Sequence, residues 1–547
     1  MQGFTAIFRL AAVKINGYNS TCFSEFFRDM LKGEITMGST EILMLVSICI
    51  YLVGMLVIGL VYSKNQTSAA EFYLGGRRLG PLVTALSTEA SDMSAWLLMG
   101  VPGLAFFCGI AEASWTAIGL IIGTYLNWLF VAKRLRRYSV KVGAITVPDF
   151  LARRFRDKSK VIETLGALMI IVFFVPYTAS GFVACGKLFH GLMGFDYTTA
   201  MIVSAAVIVA YTSTGGFMAA SVTSLVQSLV MTATLVIVVV FGINAAGGWD
   251  QVAQNAKEIP GYLDMFTRTA IDGSGAKAYN PLDIAGTVAW ALGYFGMPHI
   301  LTHFMAANDE KKLSTSRRVG TVWVVISLAT AVVIGIVGYG MAKAGAIEMF
   351  GSASAAETLI PAVAQLIAQN GALFAILAGV LLAGILAATM STADAQLLAA
   401  ASGVTHNLLT DVFGVKMSDK KTMFIARIAV ICIAILGILF ALDPESSIFK
   451  IVSFAWAGFG ATFGPVMLFG LFWKRCNRFG AIAGMFGGAA TVFVWKYAIA
   501  PLGGILGIYE LLPAFVVSSL LIVVVSLLTP APDAEITAEF DAVKAAK

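Results

Sequence analysis

Charged residues are scarce in this chain. Asp, Glu, Lys and Arg make up 12% of its 547 residues, and hydrophobic types make up 58%. A soluble domain carries about 25% charged and roughly 45–50% apolar residues, so a water-facing globule is excluded. Six cysteines (Cys22, Cys49, Cys108, Cys185, Cys432, Cys476) form no CxxC pair. Most lie in apolar runs, where a small buried hydrophobe is the usual role, and they imply neither a disulfide frame nor a transition-metal site. His299 and His303 stand four apart, but Ile300 breaks any HExxH pattern; two satisfied histidines near a helix end is the better reading. No GxSxG, P-loop or nucleotide fingerprint occurs. ATP-driven transport therefore lacks its engine, and an enzyme lacks a nucleophile–base pair. The net charge of +6 is spread over loops, with no basic folded module to hold nucleic acid.

What the chain does have is apolar runs near 20 residues long, each enough to cross about 30 Å of hydrocarbon as a helix. Thirteen spans are expected: 41–62, 81–109, 113–132, 161–189, 197–215, 225–247, 281–303, 320–343, 372–404, 422–441, 447–473, 480–497 and 508–529. The fold class is an all-α polytopic membrane protein with a transporter domain over 41–529. The loop at 133–160 carries ten basic residues, which by the positive-inside rule makes it cytoplasmic. Arg77/Arg78, Lys311/Lys312, Lys416/Lys420 and Lys474/Arg475 then fall on the same side. An odd span count puts the N-terminus outside and the C-terminus inside a plasma (inner) membrane. Residues 1–40 are expected to be an extension, with MGSTEILMLV at Met37 resembling a normal start; residues 530–547 form a short polar cytoplasmic tail, partly helical.

Three spans carry misplaced polarity. The second contains STEASDMSAWLLMG (87–100), where Glu89 and Asp92 stand among hydroxyls; an acid at the bilayer centre costs about 2.5–3.5 kcal/mol on insertion scales. The seventh contains GYFGMPH (293–299), whose two glycines and proline forbid an undisturbed helix. These two spans are five apart in order, and five is odd, so they enter the bilayer from opposite faces. That pattern fits inverted repeats, spans two to six (about 81–247) and seven to eleven (about 281–473), whose first helices unwind near the midplane around a cation. On this reading 87–94 is unwound; the alternative is a kinked helix whose acids pair with a buried base. In the ninth span, Ala388, Ser391 and Thr392 share one helical face. Their oxygens suit Na⁺, although hydroxyls bonded to their own i−4 carbonyls are equally compatible.

At these residues the sequence resembles the sodium/solute symporter family, specifically its sodium/proline symporter branch. The matching motifs are GGRRLGP (75–81), ASDMSAWLLMG (90–100), VPDFLARRF (147–155), ALGYFGMPHIL (291–301), ILAATMSTADAQLL (385–398) and SFAWAGFGATFGPV (453–466). The resemblance implies a LeuT-like 5+5 core of ten helices. It implies a sodium site built from the carbonyls of Ala90, Met93 and Ala388 and the hydroxyls of Ser391 and Thr392. It makes Asp92 the coupling acid, followed by Ser94, and lines the proline pocket with Tyr177, Trp290, Tyr294 and Pro298. Arg77 and Glu112 match positions linked to coupling or activity. Many relatives carry an acid where this chain has Ser224; Asp394 is expected to substitute for it, leaving one coupled sodium, or else to be a hydrated helix-end residue. Glu89 receives no role.

The expected function is Na⁺-coupled import of L-proline by alternating access. The alternatives are symport of another small solute (an amino acid, pantothenate or a sugar acid) and an uncoupled channel or sensor on the same scaffold. No cofactor beyond Na⁺ as coupling ion is expected. The expected partners are L-proline, Na⁺ and the bilayer, with no nucleic acid and no obligate protein partner.

Overall fold

The computed structural model describes residues 38–63, 68–272 and 275–545. The expected start at Met37 and the extension before it lie outside the described residues. Among the described residues, eleven helices are long and apolar enough to cross a membrane. The bent pair Pro281–Gly293 and Pro298–Ala306 and the shorter helix Tyr197–Ser213 occupy the remaining expected positions. The expected all-α architecture holds, apart from an antiparallel ribbon pairing Thr267 with Ala278 and Arg268 with Lys277.

Burial separates central from peripheral spans. The second span, Pro81–Cys108, is 94% buried over its apolar window, whereas the first, Ser39–Tyr62, is 22% buried and faces outward. The fifth and sixth spans run as one helical stretch, Tyr197–Ala245, interrupted by a kink at Gly216 (φ 58°), a positive φ that favours glycine.

The second span differs from the expected form. Ser87–Met93 stays helical, and the break is confined to Ser94 (φ 47°, ψ −172°), followed by a π-turn over Trp96–Gly100. The polar string folds because it satisfies itself: Thr88 Oγ1 donates to Thr84 O (2.5 Å) and Ser91 Oγ to Thr88 O (2.9 Å). The break is capped locally, since Ser94 Oγ accepts the Trp96 N–H at 3.1 Å. The seventh span bends by 42°, as its proline and glycines require. Its glycines lie against the eleventh span, Ile448–Phe472: a Cβ on Gly296 would stand 2.3 Å from Phe459 O. A parallel bridge between Leu79 and Ala307 ties the start of span two to the end of span seven.

The tail is also more than a polar extension. Helix Ala534–Ala545 buries Ile536, Phe540 and Val543, and Phe540 lies under the guanidinium groups of Arg134 (4.9 Å) and Arg154 (5.2 Å). Cation–π contact of this kind is strongest away from water, which explains a docked helix.

Candidate ion and substrate site

The ninth span, Ala372–Val412, meets the second at one carbonyl. Ser391 Oγ donates to Ala90 O at 2.8 Å, and Thr392 Oγ1 lies 3.5 Å from the same atom. Ser391 Oγ also lies 3.1 Å from Ala388 O. Four of the five oxygens expected around sodium are therefore gathered. The fifth residue, Met93, gives its carbonyl to the Trp96 N–H and makes no hydrogen bond to the ninth span among the described residues. Ser391 shares its hydroxyl between its own helix and the neighbouring span, whereas Thr392 reaches only the neighbouring span among the described residues.

Asp92 is the next polar group along. Its backbone carbonyl accepts from Tyr177 Oη at 3.1 Å, and its Oδ2 accepts from Tyr294 Oη at 2.5 Å. Its Oδ1 is buried with no hydrogen-bond partner among the described residues. A buried carboxylate oxygen left in this state is costly unless a cation or donor joins it. Glu89 faces elsewhere, accepting from Trp128 Nε1 (2.6 Å) and Thr124 Oγ1 (3.1 Å). Neither acid pairs with a base among the described residues, so the kinked-helix alternative does not hold. Trp128 and Thr124 had no sequence signal, because they come from the third span.

Two of the four expected pocket residues, Trp290 and Pro298, line different cavities. Tyr177 and Tyr294 converge on Asp92. Trp290 lines a cavity of about 450 Å³ together with Glu112, Arg268, Phe449, Lys450 and Tyr509. Its ring sits 5.4 Å from that of Trp96 and is stacked on Tyr509 at 5.4 Å, and its carbonyl accepts from Trp456 Nε1 at 2.8 Å. Pro298 lines a far smaller cavity, about 20 Å³, at the end of the molecule that carries the basic loop, with His299, Thr146 and Pro148. The bend that breaks the seventh span sends Trp290 and Pro298 to opposite sides.

The remaining expected residues sit away from this junction. Arg77 grips the basic end, donating to Met305 O (2.6 Å) and Ala144 O (2.5 Å); burial, with Arg136 beside it, lowers its guanidinium to about 10, still charged at neutral pH. Glu112 lies at the opposite end, 3.6 Å from Arg268. Asp394 is fully buried and accepts from Thr212 beside Tyr211, which rules out a hydrated helix end. Ser224 donates to Ala220 O at 2.7 Å within its own helix. His303 Nδ1 lies 2.8 Å from His299 O, and the His299 ring stands edge-on to Phe174.

A helical membrane protein with two broken spans crossing in opposite senses, and oxygens gathered where one of them meets the ninth span, has the LeuT-like architecture of secondary transporters. A solved outward-open Na⁺-coupled sialic acid symporter shares that fold, with a TM-score of 0.74 at 18% identity, covering 90% of this chain and 98% of that one. The chain belongs to the sodium:solute symporter family, whose profile matches residues 72–488; it is a transporter and not an enzyme. It is 41% identical to the osmoregulated proline transporter OpuE of Bacillus subtilis (strain 168) over 493 residues, 89% of this chain and 95% of that protein. It is also 41% identical to the sodium/proline symporter of Escherichia coli (strain K12) over 504 residues, 91% of this chain and 95% of that one.

Proposed function

We propose that this protein imports L-proline together with Na⁺ across the plasma membrane by alternating access, with its basic end and C-terminus in the cytoplasm and its N-terminus outside. One observation carries the reading: the Ala90 carbonyl, held by Ser391 and Thr392, lies two residues from Asp92, whose buried Oδ1 is unpartnered. Na⁺ would take the Ala90, Met93 and Ala388 carbonyls and the two hydroxyls, and so draw spans two and nine together. Asp92 would report its arrival to Tyr177 and Tyr294. Proline is favoured as substrate because two relatives at 41% identity are a proline transporter and a sodium/proline symporter, and because the rings of Tyr177 and Tyr294 at Asp92, with Trp290 lining the larger cavity, offer aromatic surface to a pyrrolidine ring. Asp394 would stand in electrostatically for the acid that relatives carry at the position of Ser224, leaving a single coupled ion.

The test is uptake of labelled proline into reconstituted vesicles under an imposed inward Na⁺ gradient, with other small amino acids, pantothenate and sugar acids as competitors. Uphill accumulation that collapses when the gradient is dissipated is the expected result. Equilibration without accumulation would establish a channel, stronger competition by another solute would reassign the substrate, and a Na⁺:proline ratio of two would remove the single-ion reading.

A further inference from the structure

At the basic end, beyond the small cavity that Pro298 lines, three elements bring ionisable groups together. Helix Val147–Arg154, capped by Thr146, carries Asp149. The last turns of the ninth span, Gly403–Val412, carry His406 and Asp411. The first turn of the fourth span carries Glu163. Asp149 is buried, and His406 and Asp411 are half-buried. His406 Nε2 stands 3.3 Å from Asp411 Oδ2 and 3.8 Å from Asp149 Oδ2, and one donor atom from each of the three residues falls within 4.8 Å of the others. His406 Nε2 is itself shielded from solvent and makes no hydrogen bond.

These separations suit a shared cation better than a shared proton. A charge-assisted N–H···O bond closes to about 2.7–2.9 Å, and neither contact does so. Two ligands on a tetrahedral Zn²⁺, each about 2.0–2.1 Å from the metal, stand roughly 3.3–3.4 Å apart. The His406–Asp411 edge already has that length, and the edge to Asp149 needs to close by only about 0.4 Å to reach it. The ligands are also oriented from behind, as metal ligands require. Asp149 Oδ2 accepts the Ile145 N–H at 2.9 Å, and its Oδ1 takes Arg153. Glu163 lies within hydrogen-bonding reach of the Asp411 carboxyl group and is held on its other side by Asn407 Nδ2 at 2.8 Å. Lys160 Nζ caps the Asp411 and Val412 carbonyls. Two carboxylates thus converge on one imidazole, with Arg153 paired to Asp149.

We propose that Asp149, His406 and Asp411, with water completing the shell and Glu163 supporting Asp411 from behind, bind a divalent transition cation with the size and ligand preference of Zn²⁺. One imidazole and two carboxylates form a borderline set that favours such an ion over Mg²⁺ or Ca²⁺. Its occupancy pins segment 145–154 to the end of the ninth span. Ile145, Thr146 and Pro148 line the small cavity at this end, so the bound ion restrains its mouth. No cysteine takes part, and the ligands come from opposite halves of the chain, which is why composition gave no hint of the site.

The experiment uses the purified full chain in phosphatidylcholine nanodiscs, titrated with Co²⁺ as a visible probe and then with Zn²⁺. We expect one equivalent of Co²⁺ with the intense visible absorption of four-coordinate cobalt, displacement by Zn²⁺, and a Zn²⁺-dependent rise in thermal midpoint. His406→Gln and Asp411→Asn should each weaken Co²⁺ binding by roughly 30-fold or more, by analogy with the 10–100-fold cost of losing even an outer-shell partner, with midpoints in chelator close to that of the parent. Absence of the cobalt spectrum overturns the site, as does a weak six-coordinate spectrum or binding unchanged in both variants. These readouts do not involve proline, so they stand or fall separately from the proposed transport.

Discussion

Ser391→Ala removes one oxygen from the junction of spans two and nine and leaves the aromatic region untouched. In the parent, Ser391 Oγ spends its proton on Ala90 O at 2.8 Å. Losing a hydrogen-bonding group to a charged partner costs about 1.5–3 kcal/mol. Ion binding also disrupts the neutral bond to Ala90, worth about 1 kcal/mol, and that bond is already missing in the variant. The net loss is therefore about 0.5–2 kcal/mol, or roughly a 2- to 30-fold rise in the Na⁺ concentration for half-maximal uptake. Because coupling between two ligands is reciprocal, proline affinity should fall at low Na⁺ and return to within about twofold of the parent once Na⁺ exceeds the raised midpoint. Trp290→Ala should behave in the opposite way. It deletes a ring packed against Trp96 and Tyr509, so proline affinity should stay reduced at every Na⁺ concentration. The assay is equilibrium proline binding to purified protein across a Na⁺ titration. If saturating Na⁺ fails to rescue Ser391→Ala, or rescues Trp290→Ala, the assignment of separate ion and substrate groups is wrong.

Three further predictions concern the scaffold. Gly296→Ala should reduce the initial uptake rate and the thermal midpoint together, because its Cβ would meet Phe459 O at 2.3 Å and Gly464 N at 2.7 Å; overpacking of this kind costs about 1–3 kcal/mol, and unchanged stability would show that spans seven and eleven separate freely. In detergent unfolding, Glu357→Ala should be the most damaging single change at the far end, at about 3–5 kcal/mol, since Glu357 accepts from Lys187 Nζ (2.8 Å), Ser447 Oγ (2.9 Å) and the Ile448 N–H (3.1 Å). Lys187→Met should cost less, because the carboxylate keeps its other donors; equal losses would contradict this account of the cluster. Trp128→Phe removes the 2.6 Å donor to Glu89 and should lower stability by about 1.5–3 kcal/mol while leaving proline selectivity intact, as measured by competition uptake.

Some of this was legible in residues alone, for identifiable reasons. The bend at Gly293–Pro298 is written in backbone chemistry, because proline withholds a donor wherever it stands. The break in span two is not, because a serine gives no sign that it will adopt positive φ; the surrounding hydroxyls suggested a longer unwound stretch, yet they fold back onto their own helix. Face-sharing by Ala388, Ser391 and Thr392 was visible from spacing, but the reach of Ser391 and Thr392 to the Ala90 carbonyl is tertiary. Tyr177 and Tyr294 entered through family resemblance, whereas Trp128 and Trp456 carried no signal, since a buried tryptophan on an apolar helix looks like ordinary core. The bend also separates Trp290 from Pro298, which line the larger and the smaller cavity respectively.

The residues expected to couple transport fall into one central group and two terminal ones, and that division constrains the proposed cycle. Ala90 and Asp92 are two residues apart on one helical turn, so an ion that moves the first carbonyl also moves the groups holding Tyr177 and Tyr294. That link is short enough to be mechanical. Arg77 is different in kind: it holds the carbonyls of Met305 and Ala144 at the end of span seven and before helix Val147–Arg154. Those acceptors neighbour Ile145 and Thr302, which line the small cavity, so in the proposed cycle release toward the basic end would loosen the clamp. Glu112, paired with Arg268 across the rim of the larger cavity, occupies the corresponding place at the far end. In the proposed cycle Asp92 therefore sets how ion and solute affect one another's affinity, whereas Arg77 and Glu112 act on the rate at which each end opens. Substitutions at the two ends should then change turnover with little effect on the Na⁺ dependence of proline binding.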